Sequence, residues 1–136
     1  MYCTARDLMK QPIVTRLETT LAEVAATMDT RRISILPVVN EKDELRGIIS
    51  KTDLVHFSLN GEDNWRDCQA QEAMNPAVIS CKVNAPLPEV ANLMKENRIH
   101  HVLVMDGQKA IGVISALDLA GPMLKAYEVL RDTQAR

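Results

Sequence analysis

At 136 residues, with 46% apolar and 25% charged residues and a formal net charge of -2, the chain has the balance of a globular protein, with room for one domain or for two half-size units sharing a core. No block of Lys or Arg approaches the basic stripe that counterion-driven binding to nucleic acid needs, and no apolar run approaches the roughly 18 residues of a membrane span. Cys3, Cys68 and Cys81 are odd in number and lack Cys-x-x-Cys spacing, which argues against a disulfide framework or zinc site and for reduced thiols in the cytoplasm.

The N-terminus, Met1-Tyr2-Cys3-Thr4-Ala5-Arg6-Asp7, lacks the charged and then apolar regions of a signal peptide. Ile13-Val14-Thr15 reads as a first strand. Leu21, Val24, Ala25 and Met28 stand at i, i+3, i+4 and i+7, the buried stripe of a helix, and Thr20 with Glu23 is spaced as a capping box at its start. Ile33 to Val39 is strand-like and ends in a polar turn, Asn40-Glu41-Lys42-Asp43-Glu44. A second apolar strand then leads to Ser50, so the pair reads as a hairpin. Leu54 to Leu59 reads as a closing helix and Asn60-Gly61-Glu62-Asp63-Asn64 as a polar connection, with Trp65 anchoring the linker.

The same succession then returns. Val78-Ile79-Ser80 reads as a strand, and Leu87, Val90, Ala91 and Met94 repeat the helical stripe, with Pro86 where the first copy has Thr20; its fixed φ suits helix entry. Ile99-His100-His101-Val102-Leu103-Val104 and the turn Asp106-Gly107-Gln108-Lys109 repeat the hairpin, and a helix follows from Leu117. Glu23-Val24-Ala25 matches Glu89-Val90-Ala91 and Arg32-Ile33 matches Arg98-Ile99 at an offset of 66. Gly47-Ile48-Ile49-Ser50 matches Gly112-Val113-Ile114-Ser115, Asp53-Leu54 matches Asp118-Leu119, and Met9 matches Met74, at an offset of 65. The four methionines at matched positions, Met9, Met28, Met74 and Met94, read as core.

Two copies are too few for a solenoid, so the expectation is an α/β (α+β) fold of two tandem β-α-β-β-α units packed about a pseudo-twofold axis. The first repeat spans 1–60, a linker 61–69, the second repeat 70–121 and a C-terminal helix 122–136.

Asp7-Leu8-Met9, Pro12-Ile13-Val14-Thr15, Arg32 to Val39 and Gly47-Ile48-Ile49-Ser50-Lys51-Thr52-Asp53-Leu54, with Glu72-Ala73-Met74-Asn75-Pro76, Asn97 to Val104 and Gly112 to Leu119 in the second copy, give the chain a likeness to a known family. It resembles the cystathionine-beta-synthase-type (CBS) domain pair, or Bateman module, over nearly its whole length. The resemblance implies two clefts between the repeats that take adenosyl compounds, AMP, ADP, ATP or S-adenosylmethionine, as regulatory ligands rather than obligatory cofactors. It also implies a non-catalytic module that regulates an enzyme or transporter in another chain, and assembly as a homodimer.

The family's ligand motif stands here as Gly47-x-x-Ser50-x-x-Asp53 and Gly112-x-x-Ser115-x-x-Asp118. A carboxylate fixed where strand meets helix can accept hydrogen bonds from both ribose hydroxyls, while a hydroxyl and helix N-terminal amides, here with Thr52 in the first turn, can meet phosphate oxygens. Ser-x-x-Asp is equally the pattern of a capping box, and both roles can coexist. The resemblance places adenine beside the first strand of each repeat, at Ile13, Val14 and Thr15 and at Val78, Ile79 and Ser80, and adds Pro37; the apolar members of this set also fit plain core.

Cationic candidates for phosphate are Lys51, Arg32, Arg98, His100 and His101, although Arg32 and Arg98 also suit a helix C-terminus. Lys51 is matched by Ala116, so only the first motif carries a cation, and the Lys51 cleft is expected to prefer the more highly phosphorylated ligand. His100 and His101, adjacent on a strand, point to opposite faces and are not expected to share a metal ion. No acid/base constellation, activated nucleophile or phosphate loop is apparent, so no enzyme is expected. The alternative reading is a structural dimerisation module with vestigial clefts, in which Pro122 to Leu130 supplies an amphipathic contact. Either way the protein is expected in the cytoplasm, away from membranes.

Overall fold

The computed structural model describes residues 3–61 and 63–134. Met1, Tyr2, Glu62 of the polar connection and the last two residues of the expected C-terminal helix lie outside them. In chain order the elements are α1 (Ala5–Leu8), β1 (Thr15–Arg16), α2 (Leu21–Arg31), β2 (Ile35–Val39), β3 (Leu45–Ser50) and α3 (Lys51–Asn60). A 3-10 turn (Trp65–Asp67) leads to α4 (Ala70–Ala73), β4 (Ser80–Lys82), α5 (Leu87–Asn97), β5 (His101–Asp106), β6 (Lys109–Ser115) and α6 (Ala116–Gln134).

The β-α-β-β-α order thus occurs twice, each time around a three-stranded sheet, β1-β2-β3 and β4-β5-β6. In both, a short lead strand runs parallel to the central one: Thr15 pairs with Val38, and Ser80 with Leu103. β2 and β3 form the expected antiparallel hairpin, with a register irregularity at Val38/Val39. Pro37 is tolerated in the central strand because β1 pairs only Val38 and Val39 and never asks Pro37 for the N–H it lacks.

The lead strands are shorter and later than the sequence suggests. Ile13, Val14, Val78 and Ile79 precede the ladders, and of the two expected triplets only Thr15 and Ser80 lie in strands. A lead strand held on one side needs only two or three pairs, and apolar residues before it serve other contacts: Ile13 packs on the core while Val14 stays 40% exposed.

The helical stripes are buried as the spacing predicts. Leu21, Val24 and Met28 are buried on α2, and Val90 and Met94 on α5, each fully buried side chain contributing about 1.5–3 kcal/mol. Of the capping box expected at α2, the Thr20 half forms, its Oγ1 accepting from Glu23 N–H at 3.3 Å. The Glu23 half does not form; the flanking backbone pairs with the Gln69 segment, Leu21 N–H donating to Cys68 O at 2.8 Å and Ala70 N–H to Thr19 O at 2.7 Å. Both stripe helices end alike: Arg32 and Arg98 are left-handed C-caps with φ 53° and ψ 47°, and Ile33 and Ile99 N–H donate to Met28 and Met94 O at 3.0 Å. Pro122 lies inside α6.

The chain forms two compact units. One comprises residues 12–61, 63–78 and 107–110, the other residues 3–11, 79–106 and 111–134. They are called here the Asp53 unit and the Asp118 unit. Their composition cuts across the repeats: α1 and Met9, upstream of the first repeat's sheet, belong to the Asp118 unit, whereas α4 and Met74, upstream of the second repeat's sheet, belong to the Asp53 unit. In the Asp118 unit, Ala5 is wholly buried and Leu8 and Met9 pack beside Val90, Val102, Val104 and Ile114. In the Asp53 unit, Ala70, Met74 and the linker's Trp65 join Leu21, Val24, Leu36 and Ile49.

Candidate functional site

The two motifs fold into the same junction, once in each unit. Ser50 ends β3 and caps α3: its N–H donates to Asp53 Oδ2 at 2.8 Å, and Asp53 N–H donates to Ser50 Oγ at 3.0 Å. Ser115 and Asp118 repeat the pair at 2.8 and 3.2 Å. The capping-box reading is therefore correct at both sites. It uses one carboxylate oxygen of each Asp and fixes the direction of the other.

The helix amides are committed in part. Lys51 N–H donates to Ser34 O at 2.9 Å and Ala116 N–H to His100 O at 2.8 Å, while the Asp53 and Asp118 amides serve the caps. That leaves Thr52 in the first turn of α3, and Leu117 in α6, as amides without an internal acceptor among the described residues.

The motif glycines have a steric cause. A Cβ on Gly47 would stand 2.8 Å from Met74 Sδ and 2.9 Å from Asn75 O, and one on Gly112 would stand 2.5 Å from Met9 Sδ. The lead-in segments press there: Asn75 exchanges backbone hydrogen bonds with Ile48 at 2.8 and 3.0 Å, and Lys10 exchanges them with Val113 at 3.0 and 2.9 Å. Glycine lets a neighbouring chain approach the last strand just before the junction.

Within the Asp53 unit, Ser50, Lys51, Thr52 and Asp53 are contiguous at the start of α3, with Lys51 and Thr52 exposed. Ile13, Val14 and Thr15 lie at the lead strand, and Pro37 is buried in β2. The division between the units falls between Val78, which belongs to this unit, and Ile79 and Ser80, which belong with Ser115 and Asp118. In the Asp118 unit, His100 is exposed and His101 half-buried at the start of β5. Burial, with the neighbouring His100, pushes the His101 imidazole below its ordinary pKa, against the opposing pull of Asp118. Among the described residues no group of three or more His, Cys, Asp or Glu is arranged to hold a metal ion, and no helix is long and apolar enough to cross a membrane.

Only the first motif contains a cation in its own sequence, but a lysine from outside the second motif reaches it. Lys10 Nζ lies 3.1 Å from Asp118 Oδ1. Burial alone would raise the Asp118 carboxyl, but the Ser115 backbone hydrogen bond and the Lys10 ammonium hold it below its ordinary range. Lys10 comes from the lead-in segment at the far end of the sequence. The offset of 65 aligns it with Asn75, but nothing local announces that it reaches Asp118.

A CBS domain profile matches residues 5–60 and 70–124. The chain is 31% identical over 132 residues to human 5'-AMP-activated protein kinase subunit gamma-3, covering 88% of this chain and 27% of that protein; it thus spans about a quarter of the length of the kinase subunits it matches. A putative acetoin utilization protein (AcuB) from Vibrio cholerae has the same fold, with a TM-score of 0.84 at 22% identity over 97% of this chain and 98% of that one. The CBS domain pair of protein MJ0100, crystallised with 5-methylthioadenosine and S-adenosyl-L-methionine, superposes with a TM-score of 0.80 at 23% identity, over 93% and 99% of the two chains. A CBS domain protein from Pyrobaculum aerophilum complexed with AMP gives 0.78 at 22% identity, over 86% and 90%.

Proposed function

The chain belongs to the CBS domain family, and from that premise we propose that it is a non-catalytic sensor which binds an adenosyl ligand at the Asp53 and Asp118 junctions and passes occupancy to a partner protein. The observation that carries the reading is the duplicated capping box. Each Asp spends one oxygen on its own helix start; Asp53 keeps the second, rigidly aimed, for an external donor pair such as the two ribose hydroxyls, while at Asp118 the second is met by Lys10.

In this reading Asp53 and Asp118 hold the ribose, and Thr52 N–H and Lys51 meet phosphate. The backbone of Ile13, Val14 and Thr15, of Val78, Ile79 and Ser80, and the flank of Pro37 line the adenine slots. His100 and His101 border the second site. AMP, ADP, ATP and S-adenosylmethionine are the candidate ligands; structural relatives crystallised with AMP or with S-adenosyl-L-methionine support an adenosyl ligand. Calorimetry with these four compounds tests it. Saturable binding of at least one, weakened by Asp53→Asn or Asp118→Asn, is the expected result; folded protein that binds none removes the proposal.

One observation favours a second reading, dimerisation without a ligand. Leu117, Met123, Leu124, Tyr127 and Leu130 on α6 are each at least 60% exposed, an unusual concentration of apolar surface on one helix. Sedimentation that finds a monomer with and without ligand counts against it.

A further inference from the structure

Resting on the proposed ligand reading, we infer that Lys10 is a specificity-determining residue, which closes the Asp118 junction with an internal ion pair and leaves the Asp53 junction as the preferred site. Three observations meet here.

The first is geometric. Asp118 has its Oδ2 on Ser115 N–H at 2.8 Å and its Oδ1 on Lys10 Nζ at 3.1 Å, so the oxygen that the first motif keeps open is occupied in the second. The Asp118 side chain is only 12% exposed, against 75% for Lys10. The acceptor is nearly covered, and the ammonium brings its donors from the solvent side.

The second is that Lys10 is held in place. Its backbone exchanges two hydrogen bonds with Val113, two residues before Ser115, so only the side chain can swing, and its root stays beside the motif. The ammonium is therefore a fixture of this junction with a high effective concentration, unlike a surface lysine that happens to approach.

The third is the contrast with the other unit. Asn75 occupies the matching bridge to Ile48, and its side-chain oxygen is turned to its own turn, accepting from Ala77 N–H at 3.0 Å. No cation reaches Asp53 among the described residues, and Lys51, exposed at the start of α3, has no acidic partner there. The same carboxylate thus stands open beside an unpaired cation in one unit and engaged by a cation in the other.

A ribose arriving at Asp118 has to share Oδ1 with the ammonium or displace it. At Asp53 it meets no such competitor. The contrast is clearest for a ligand without phosphate, to which Lys10 offers nothing in return.

Adenosine titrated into Asp53→Asn protein, where the first junction is disabled, is the direct probe. Lys10→Asn, which makes this lead-in like the other one, is expected to tighten adenosine binding about three- to tenfold, in line with release from a partly covered ion pair. Lys10→Arg, which keeps the charge, should retain the affinity of the Asp53→Asn parent. Unchanged or weaker binding in Lys10→Asn overturns the inference alone, provided that protein with native Asp53 still binds. Absence of adenosyl binding in the unaltered protein overturns the ligand reading and this inference together. Thermal unfolding of each variant confirms that the Asp118 unit is intact.

Discussion

Met9 Sδ would lie 2.5 Å from a Cβ on Gly112, and Met74 Sδ 2.8 Å from one on Gly47. Each methionine stands upstream of its own repeat's sheet and packs on the motif glycine of the other repeat. Gly47→Ala and Gly112→Ala should each destabilise the protein by about 1–3 kcal/mol, the usual cost of overpacking. At Gly47 the backbone oxygen of Asn75, at 2.9 Å, leaves no flexible group to yield. Urea unfolding provides the measurement; a neutral Gly47→Ala would show that the lead-in segment moves freely.

Arg32 and Arg98 carry the same left-handed backbone, which costs an L-residue about 1–2 kcal/mol. Arg32→Gly and Arg98→Gly should therefore stabilise by about 0.5–1 kcal/mol each, after allowing for the greater freedom of glycine in the unfolded chain. A rise in thermal midpoint with unchanged ligand affinity is the expected outcome. A loss of affinity would instead give these side chains the phosphate role their charge suggests.

Stability should fall in two steps on acidification. His101 has a folded pKa below its ordinary 6.5, so once the pH drops through about 6.5 the unfolded chain binds more protons than the folded one, and stability declines until the lowered value is passed. Asp118 has a folded pKa below 3.8. Its contribution is complete above about pH 4 and disappears as the pH falls through the lowered value. Unfolding free energies measured across this range should lose the upper slope in His101→Gln and the lower one in Asp118→Asn.

Lys51 is exposed in the first turn of α3, close in sequence to Asp53 and without an ion pair among the described residues. Lys51→Ala should weaken ATP at the Asp53 junction by about three- to tenfold while leaving adenosine unaffected. Equal ATP affinity in the two proteins would remove Lys51 from the site.

The repeat, the two helical stripes, the hairpins and both capping boxes at the motifs were legible because each is encoded over a few residues. Leu21, Val24 and Met28 announce their burial by spacing alone, and Ser50 and Asp53 are close enough in sequence to find each other without help. The lead strands were harder to read because two or three pairs leave almost no periodic signal, so Ile13 and Val14 look like strand residues but precede it. At Thr20 only half of the expected box forms, and the pairing of its flanking backbone with Cys68 and Ala70, much later in the chain, has no local signal. Least legible was the Lys10–Asp118 pair. It depends on the lead-in of one repeat lying along the last strand of the other, a relation that no local pattern carries.

That crossing bears on ancestry. A single copy of this sequence, standing alone, would have a vacant groove beside its motif glycine and a loose α1-like segment with nowhere of its own to lie. Two such chains could satisfy both needs by trading segments, and a gene duplication would then make the trade permanent within one polypeptide. Afterwards neither half could be shuffled into another gene by cutting at residues 61–69, because each would leave behind the methionine that fits its own glycine.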